Sequence, residues 1–180
     1  MKQGNDCVLK IETERLELHK ISEHHRIRFF EMLSDLELLR YISDVPSKEE
    51  IELQFQSRLM PWNLKSQHWL TLSVFEKVSG NFVGINGFKH QLGYASVGFI
   101  FLPNYQGFGY ATESLNAVCE LAQNLGIREL GANITKGNGA SKKVVEKCGF
   151  IFSNELLSTV KIGGKVYNDL VYKKVLDQNI

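Results

Sequence analysis

The chain has 180 residues, 43% hydrophobic and 23% charged, with 21 Lys+Arg against 20 Asp+Glu for a net charge of +1. This length predicts one domain over residues 1–180, the composition excludes disorder, collagen and coiled coil, and the near-zero charge offers no basic field that would make nucleic acid or an anionic membrane the default partner. Cys7, Cys119 and Cys148 form no CxxC or Cys/His cluster, which argues against structural zinc and a disulfide framework; with no apolar leader and no run of 18 apolar residues, the expectation is a cytoplasmic protein without metal.

Residues 14–20 alternate charged and apolar side chains, with Leu16 and Leu18 against Arg15, Glu17 and His19, which predicts a half-buried first strand. Ser22 is a candidate cap for two short helical pieces carrying Ile27, Phe29, Phe30 and Leu33, then Leu36, Leu39, Tyr41 and Ile42, with a break near Ser34-Asp35. After Pro46, Ser47-Lys48-Glu49-Glu50 is a capping box that opens a helix running to about Leu59. From His68 the texture turns to short β-rich runs, Trp69 to Phe75, Phe82 to Phe88 and Ser96 to Leu102, punctuated by Ser79-Gly80-Asn81 and Leu92-Gly93, so the predicted pairing is by antiparallel hairpins. Tyr110 to Leu125 has a helical stripe of Leu115, Val118, Cys119 and Ala122 closed by Gly126, and the next strand is Ile127 to Ile134. That strand-helix-strand unit predicts a parallel crossover inside an otherwise antiparallel sheet. A short helix from Ser141 to Lys147, stopped by Gly149, precedes runs at Ile151 to Lys161 and Lys165 to Val175 around the hairpin pair Gly163-Gly164. The fold class is α/β (α+β), a mixed, mostly antiparallel sheet flanked by helices, with a polar tail at Asp177-Gln178-Asn179 as the expected frayed end.

Gln106-Gly107-Phe108-Gly109-Tyr110-Ala111 lies between a strand and a helix with glycine at alternate positions. Inward-pointing amides and the positive end of the helix dipole can hold a phosphate or pyrophosphate without many Lys or Arg, although the same residues also serve as a plain glycine-eased turn. A Walker loop would need Gly-Lys-Ser/Thr, and a dinucleotide fingerprint would need glycine at Thr112 together with an opening βαβ unit. Neither is present.

The Gln-x-x-Gly-x-Ala of residues 106–111 resembles the acyl-CoA pyrophosphate loop of the GNAT superfamily of N-acyltransferases. Five flanking pieces resemble its ribosomal-protein N-terminal acetyltransferase (RimJ/RimL-type) branch. They are Thr13-Glu14-Arg15-Leu16, Pro103-Asn104-Tyr105 with Ala111-Thr112-Glu113, Asn138-x-x-Ser141, Glu146-Lys147-Cys148-Gly149-Phe150 and Asp169-Leu170-Val171-Tyr172. The resemblance implies the GNAT fold and acetyl-CoA as co-substrate. It implies that the amides of Gly107, Phe108, Gly109, Tyr110 and Ala111, with Gln106 and Thr112 beside them, hold the pyrophosphate. The strand Gly98 to Leu102, Phe101 and Leu102 included, would carry the pantetheine arm, with an amide near Ile100 or Phe101 facing the developing oxyanion. Asn138 resembles the pantetheine contact, Lys143 a basic residue near CoA phosphates, and Ser141 a proton donor to the leaving thiolate. For Asn138 and Ser141 the alternative is helix capping; for Lys143 it is a solvated helix face.

Two positions depart from the pattern the resemblance implies: Ser96 stands where many relatives carry a Glu base, and Val145 where others carry a Tyr acid. An α-amine of pKa about 7.7 to 8.0 is partly neutral at pH 7 and a thiol near 8.5 leaves with little help, so this chain suits an α-amine or another low-pKa amine, or takes a base from elsewhere, for which His68 and His90 are candidates. Trp62, Phe30 and Tyr41 are candidates for the acceptor side, to be built by residues 22–60 and the turn at Gly163. The expected activity is acetyl transfer to a protein or peptide N-terminus or to a small amine. The alternatives are a catalytically weak acyl-CoA-binding regulatory module and a phosphate-ligand binder unrelated to CoA. The late hairpin supports dimers in relatives, so a homodimer belongs to the expectation.

Overall fold

A computed structural model describes residues 9–91 and 94–176. Cys7, the turn at Leu92-Gly93 and the tail at Asp177-Gln178-Asn179 lie outside the described residues. The strands are β1 (Lys10–Glu12), β2 (Leu16–Lys20), β3 (Leu70–Glu76), β4 (Phe82–Gln91), β5 (Tyr94–Phe101), β6 (Glu129–Thr135), β7 (Ile151–Ile162) and β8 (Lys165–Val175). They form one eight-stranded sheet in the order β1-β2-β3-β4-β5-β6-β8-β7. Every pairing is antiparallel except β5 with β6, as a helical crossover requires.

The helices are α1 (Arg26–Leu33), α2 (Leu36–Leu39), α3 (Lys48–Leu59), α4 (Tyr110–Asn124) and α5 (Gly139–Lys147). Local chemistry sets their ends. Ser34 and Asp35 break α1 from α2, and the Asp35 carboxylate accepts from the Glu37 and Leu38 amides to start the second piece. At α3 the Ser47 hydroxyl accepts the Glu50 amide at 3.2 Å while the Glu50 carboxylate accepts the Ser47 amide at 2.7 Å, the reciprocal pair of a capping box. Gly126, Gly149, Gly163 and Gly164 all have positive φ where the sequence asks for it. The strand β1 was not legible, because three residues are too few to show an alternation.

Helices α4 and α5 cover one face of the sheet over a core that includes Leu18, Leu72, Phe88, Val97, Leu115 and Val118. On the other face α1 and α3 bury Phe29, Ile51 and Phe55, packed against Ile85 and Ile100 of the central strands. Burying each such side chain is worth about 1.5 to 3 kcal/mol, which fixes which side of every strand faces which helix layer.

The feature that positions the site is where the parallel pairing stops. β5 and β6 are paired only from Tyr94 with Glu129 to Ser96 with Gly131. On either side the sheet continues, β4 with β5 as far as Gly84 with Phe101 and β6 with β8 as far as Thr135 with Asp169. Past Ser96 the two parallel strands therefore part, and a gap opens in the middle of the sheet.

Candidate active site

At the mouth of that gap, β5 leads through a 3-10 turn (Pro103–Tyr105) and the four residues Gln106 to Gly109 into α4. The Gln106 side chain is committed inward, its Nε2 donating to the Phe101 carbonyl at 2.8 Å, so it anchors the loop to the strand. Gly107 and Gly109 have φ of +84° and +85°, a region that costs side-chain-bearing residues about 1 to 2 kcal/mol. Gly109 is the cap of α4 and brings no side chain to it. Among the described residues no acceptor meets the amides of residues 107 to 112. A run of unmatched amides at the positive end of a fifteen-residue helix is an anion site that needs no cationic side chain.

The turn between β1 and β2 braces this loop. Arg15 donates from Nη1 to the Phe108 carbonyl at 2.9 Å, which occupies that acceptor. The Glu113 carboxylate accepts the Arg15 Nε at 2.7 Å, the Arg15 amide at 2.8 Å and the Thr13 hydroxyl at 2.6 Å. Burial alone would raise the Glu113 pKa, but the hydrogen bonds from Thr13 and Arg15 outweigh it and hold the carboxyl below its usual range. The Arg15 guanidinium also lies 4.7 Å from the centre of the Tyr110 ring, and the Tyr110 hydroxyl donates to Glu76. Thr13, Arg15 and Glu113, a hundred residues apart in the chain, thus form one clasp around the start of α4.

Backbone alternation decides what the open edge of β5 presents. The Leu102 amide donates to the Val83 carbonyl at 2.9 Å, and the register pairs Ile85 with Ile100 and Gly87 with Gly98. Alternation then directs the amides of Gly98 and Ile100 to β4 and those of Phe99 and Phe101 to the gap. Of the two expected amides, Phe101 faces the gap and Ile100 does not, because its amide lies in the β4–β5 ladder. Ile100 still reaches the site through its side chain.

A cleft of about 320 Å³ occupies the gap and extends beneath α3, lined by Arg58, Trp69, Thr71, Ile100, Ser141 and Asp169 among others. Asn138 lines it and also caps α5, its Oδ1 accepting the Ser141 amide at 3.1 Å, so the capping alternative holds for Asn138. Ser141 contributes the capped amide, while its hydroxyl has no hydrogen-bond partner among the described residues. Lys142 lies 3.8 Å from Glu146, whereas Lys143 is exposed with no ion pair among the described residues. Leu102 and Thr112 are half-buried at the two ends of the loop, the Thr112 carbonyl accepting from the Cys148 thiol at 3.4 Å. Burial pushes the thiols of Cys148 and Cys119 up to about 11, which keeps both protonated.

Some expected neighbours lie elsewhere. Val145 is fully buried in the α4-side core, so its position offers no acid, and Ser96 sits at the last paired rung of β5 and β6. Neither His68 nor His90 lines the cleft; the His90 Nδ1 lies 2.7 Å from the Leu64 carbonyl. Tyr41 lines it, but Trp62 packs edge-on against Phe88 and Phe30 against Phe55. The rim near Tyr41 is tied to the late hairpin, whose Gly163 amide donates to Asp44 at 2.6 Å.

Sequence reasoning missed Arg58, Trp69, Thr71 and Asp169 as lining residues. One signal was available: Ile51, Phe55 and Arg58 share a stripe of α3, and a cation where the stripe asks for an apolar residue marks an unusual environment.

A family model described as an acetyltransferase (GNAT) domain matches residues 15–151. The uncharacterized N-acetyltransferase YoaA of Bacillus subtilis is 25% identical over 173 residues, covering 92% of this chain and 96% of its own. Among solved structures, RimL, a ribosomal L7/L12 alpha-N-protein acetyltransferase in complex with coenzyme A, superimposes with a TM-score of 0.81 at 20% identity over 95% of this chain and all of the other. A spermidine N-acetyltransferase from Vibrio cholerae in complex with CoA and spermine gives 0.78 at 15% identity over 91% and 96%. At these identities the two structures share the fold with this chain.

Proposed function

Because the chain belongs to the acetyltransferase (GNAT) family and is an acetyl-CoA-dependent acetyltransferase, we propose that it acetylates a primary amine, with a protein or peptide N-terminus favoured over a simple small amine. The observation that carries the reading is the run of unmatched amides from Gly107 to Thr112 at the mouth of the gap between β5 and β6. Those amides bind the coenzyme's pyrophosphate, and Gly107 and Gly109 leave it room because neither carries a Cβ. Lys143 adds a cation for the coenzyme's phosphates. The open edge of β5 takes the pantetheine arm as an added strand, and its Phe101 or Phe99 amide faces the thioester oxygen.

Acetyl-CoA supplies an acyl carbon on a good leaving group, so the protein has to orient an amine more than to activate it. With Ser96 and Val145 at the usual proton-transfer positions, the amine must already have a neutral fraction when it binds, and an α-amine near pKa 8 is partly neutral at pH 7 where a lysine near 10.4 is not. The Ser141 hydroxyl, without a hydrogen-bond partner among the described residues and lining the cleft, donates to the departing sulfur and regains a proton from the nitrogen, which must lose one as the amide forms. The RimL likeness supports an N-terminal acceptor and the spermidine enzyme a small one, both through fold alone. Residues 1–180 act as one catalytic domain. Apolar Ile151 and Leu157, each 75% exposed on the edge strand β7, support a homodimer, which light scattering tests.

The decisive experiment is thermal melting with acetyl-CoA followed by thiol release across an amine panel. Saturation at a hundredfold over the dissociation constant adds about 2.7 kcal/mol of stability. Release with N-terminal peptides supports the proposal, and a full melting shift with a flat panel favours the regulatory alternative that Ser96 and Val145 keep in play. No shift with acetyl-CoA would overturn both.

A further inference from the structure

The stripe of α3 that packs on the sheet runs Ile51, Phe55 and then Arg58. Arg58 is half-buried in the cleft wall, and among the described residues no carboxylate pairs with it. Its Nη1 donates to the Thr71 hydroxyl at 3.2 Å and its guanidinium stacks 5.0 Å from the centre of the Trp69 ring. The remaining N–H donors of the fork have no protein acceptor among those residues. Loss of water pushes the group's pKa down to about 10. A cation desolvated without a counter-charge is a cost to the fold, and the protein itself does not offset it.

Its surroundings point the same way. The indole that Arg58 stacks on lies over Gly98 of β5, where a Cβ would come within 3.0 Å of the ring, so the guanidinium stands one indole from the edge of the gap. Lys20 places its ammonium 3.4 and 3.2 Å from the Arg58 and Leu59 carbonyls and adds positive charge behind it. The carboxylate that lines the cleft, Asp169, belongs to β8, four strands from Thr71 and on the far side of the gap between β5 and β6. The cleft thus has a positive end under α3 and a negative end by β8.

We infer that Arg58 docks a carboxylate carried by the amine acceptor close to its reacting nitrogen. This rests on the acetyltransferase reading and names the acceptor class: an amine with an α-carboxylate, as in a free amino acid, or with an acidic side chain near the start of a peptide. One guanidinium matches one carboxylate in charge and in fork geometry. A polyamine would set a second cation against the first and is disfavoured.

The test uses matched acceptors in the full chain: amino acids against their carboxamides, and peptides with Asp at the second residue against those with Asn. Thiol release is read as kcat/KM, and indole fluorescence reads binding without turnover. The carboxylate member of the responding pair should exceed its partner at least tenfold, and which pair responds identifies the source of the carboxylate. Arg58→Gln should erase that ratio while the melting shift with acetyl-CoA persists. Arg58→Met should erase it too and leave the melting temperature equal or higher, which a merely structural arginine would not do. Equal rates within both pairs, or a ratio that survives Arg58→Gln, would overturn the inference. So would a normal acetyl-CoA shift with neither turnover nor a carboxylate-dependent fluorescence change. A protein without that shift fails at the parent reading, and this one falls with it.

Discussion

Gly109 is under two constraints that different substitutions separate. Its φ of +85° disfavours any side chain, and a Cβ there would also lie 3.4 Å from the Arg15 guanidinium. Gly107 has the same φ in open space. Gly107→Ala and Gly109→Ala should therefore each cost about 1 to 2 kcal/mol of stability, read from urea midpoints, because both share the strain of the left-handed region. Gly109→Glu adds a carboxylate at the amide run, and its melting temperature should no longer respond to acetyl-CoA. An unchanged response would remove the loop from the binding site. Arg15 acts one step back, through the Phe108 carbonyl and Glu113. Arg15→Met should weaken acetyl-CoA binding five- to tenfold, about 1 to 1.4 kcal/mol, with kcat for bound substrate changed much less, as expected for a positioning residue measured by calorimetry and saturation kinetics.

At the scale of elements, Asn138 joins capping to the site. Asn138→Ala removes the cap of α5 and should lower stability by about 1 kcal/mol. Asn138→Asp restores a capping oxygen but removes the amide donor; if it recovers the melting temperature and not the KM for acetyl-CoA, the side chain also contacts the coenzyme. Most elements were legible because their signals are local: the capping box at Ser47, the break at Asp35, the glycine after α4 and the Gly163-Gly164 turn each act within four residues. The glycine loop was legible for the same reason. The acceptor half was not, since Arg58 of α3, Trp69 and Thr71 at the start of β3 and Asp169 of β8 come from three separate parts of the chain that only the tertiary fold brings together. Aromatic residues misled: Phe30 and Trp62 have the look of pocket residues, yet each found a ring to pack on in the core.

For the molecule as a whole, the buried thiols make a pH signature. Cys119 and Cys148, 3% exposed each, are held up to about 11 by burial, above an unfolded value near 8.5. Between about pH 9 and 11 the unfolded chain gives up these protons first, so stability falls as pH rises through that window. The urea midpoint should drop less steeply there in Cys119→Ala/Cys148→Ala than in the parent. Equal slopes would mean that the thiols ionise alike in both states.

The clasp between Arg15 and Glu113 has a consequence for how the protein comes to life. Its partners are separated by 98 positions, so an emerging polypeptide has its arginine ready long before the glutamate exists. Local helices can form early, but this closure must wait for a distant encounter. Competence to hold the coenzyme at full affinity should then be among the last properties recovered on dilution from denaturant, trailing the far-ultraviolet signal, and removal of the first fifteen residues should yield a chain that collapses and coils its helices yet grips its ligand at least tenfold more weakly.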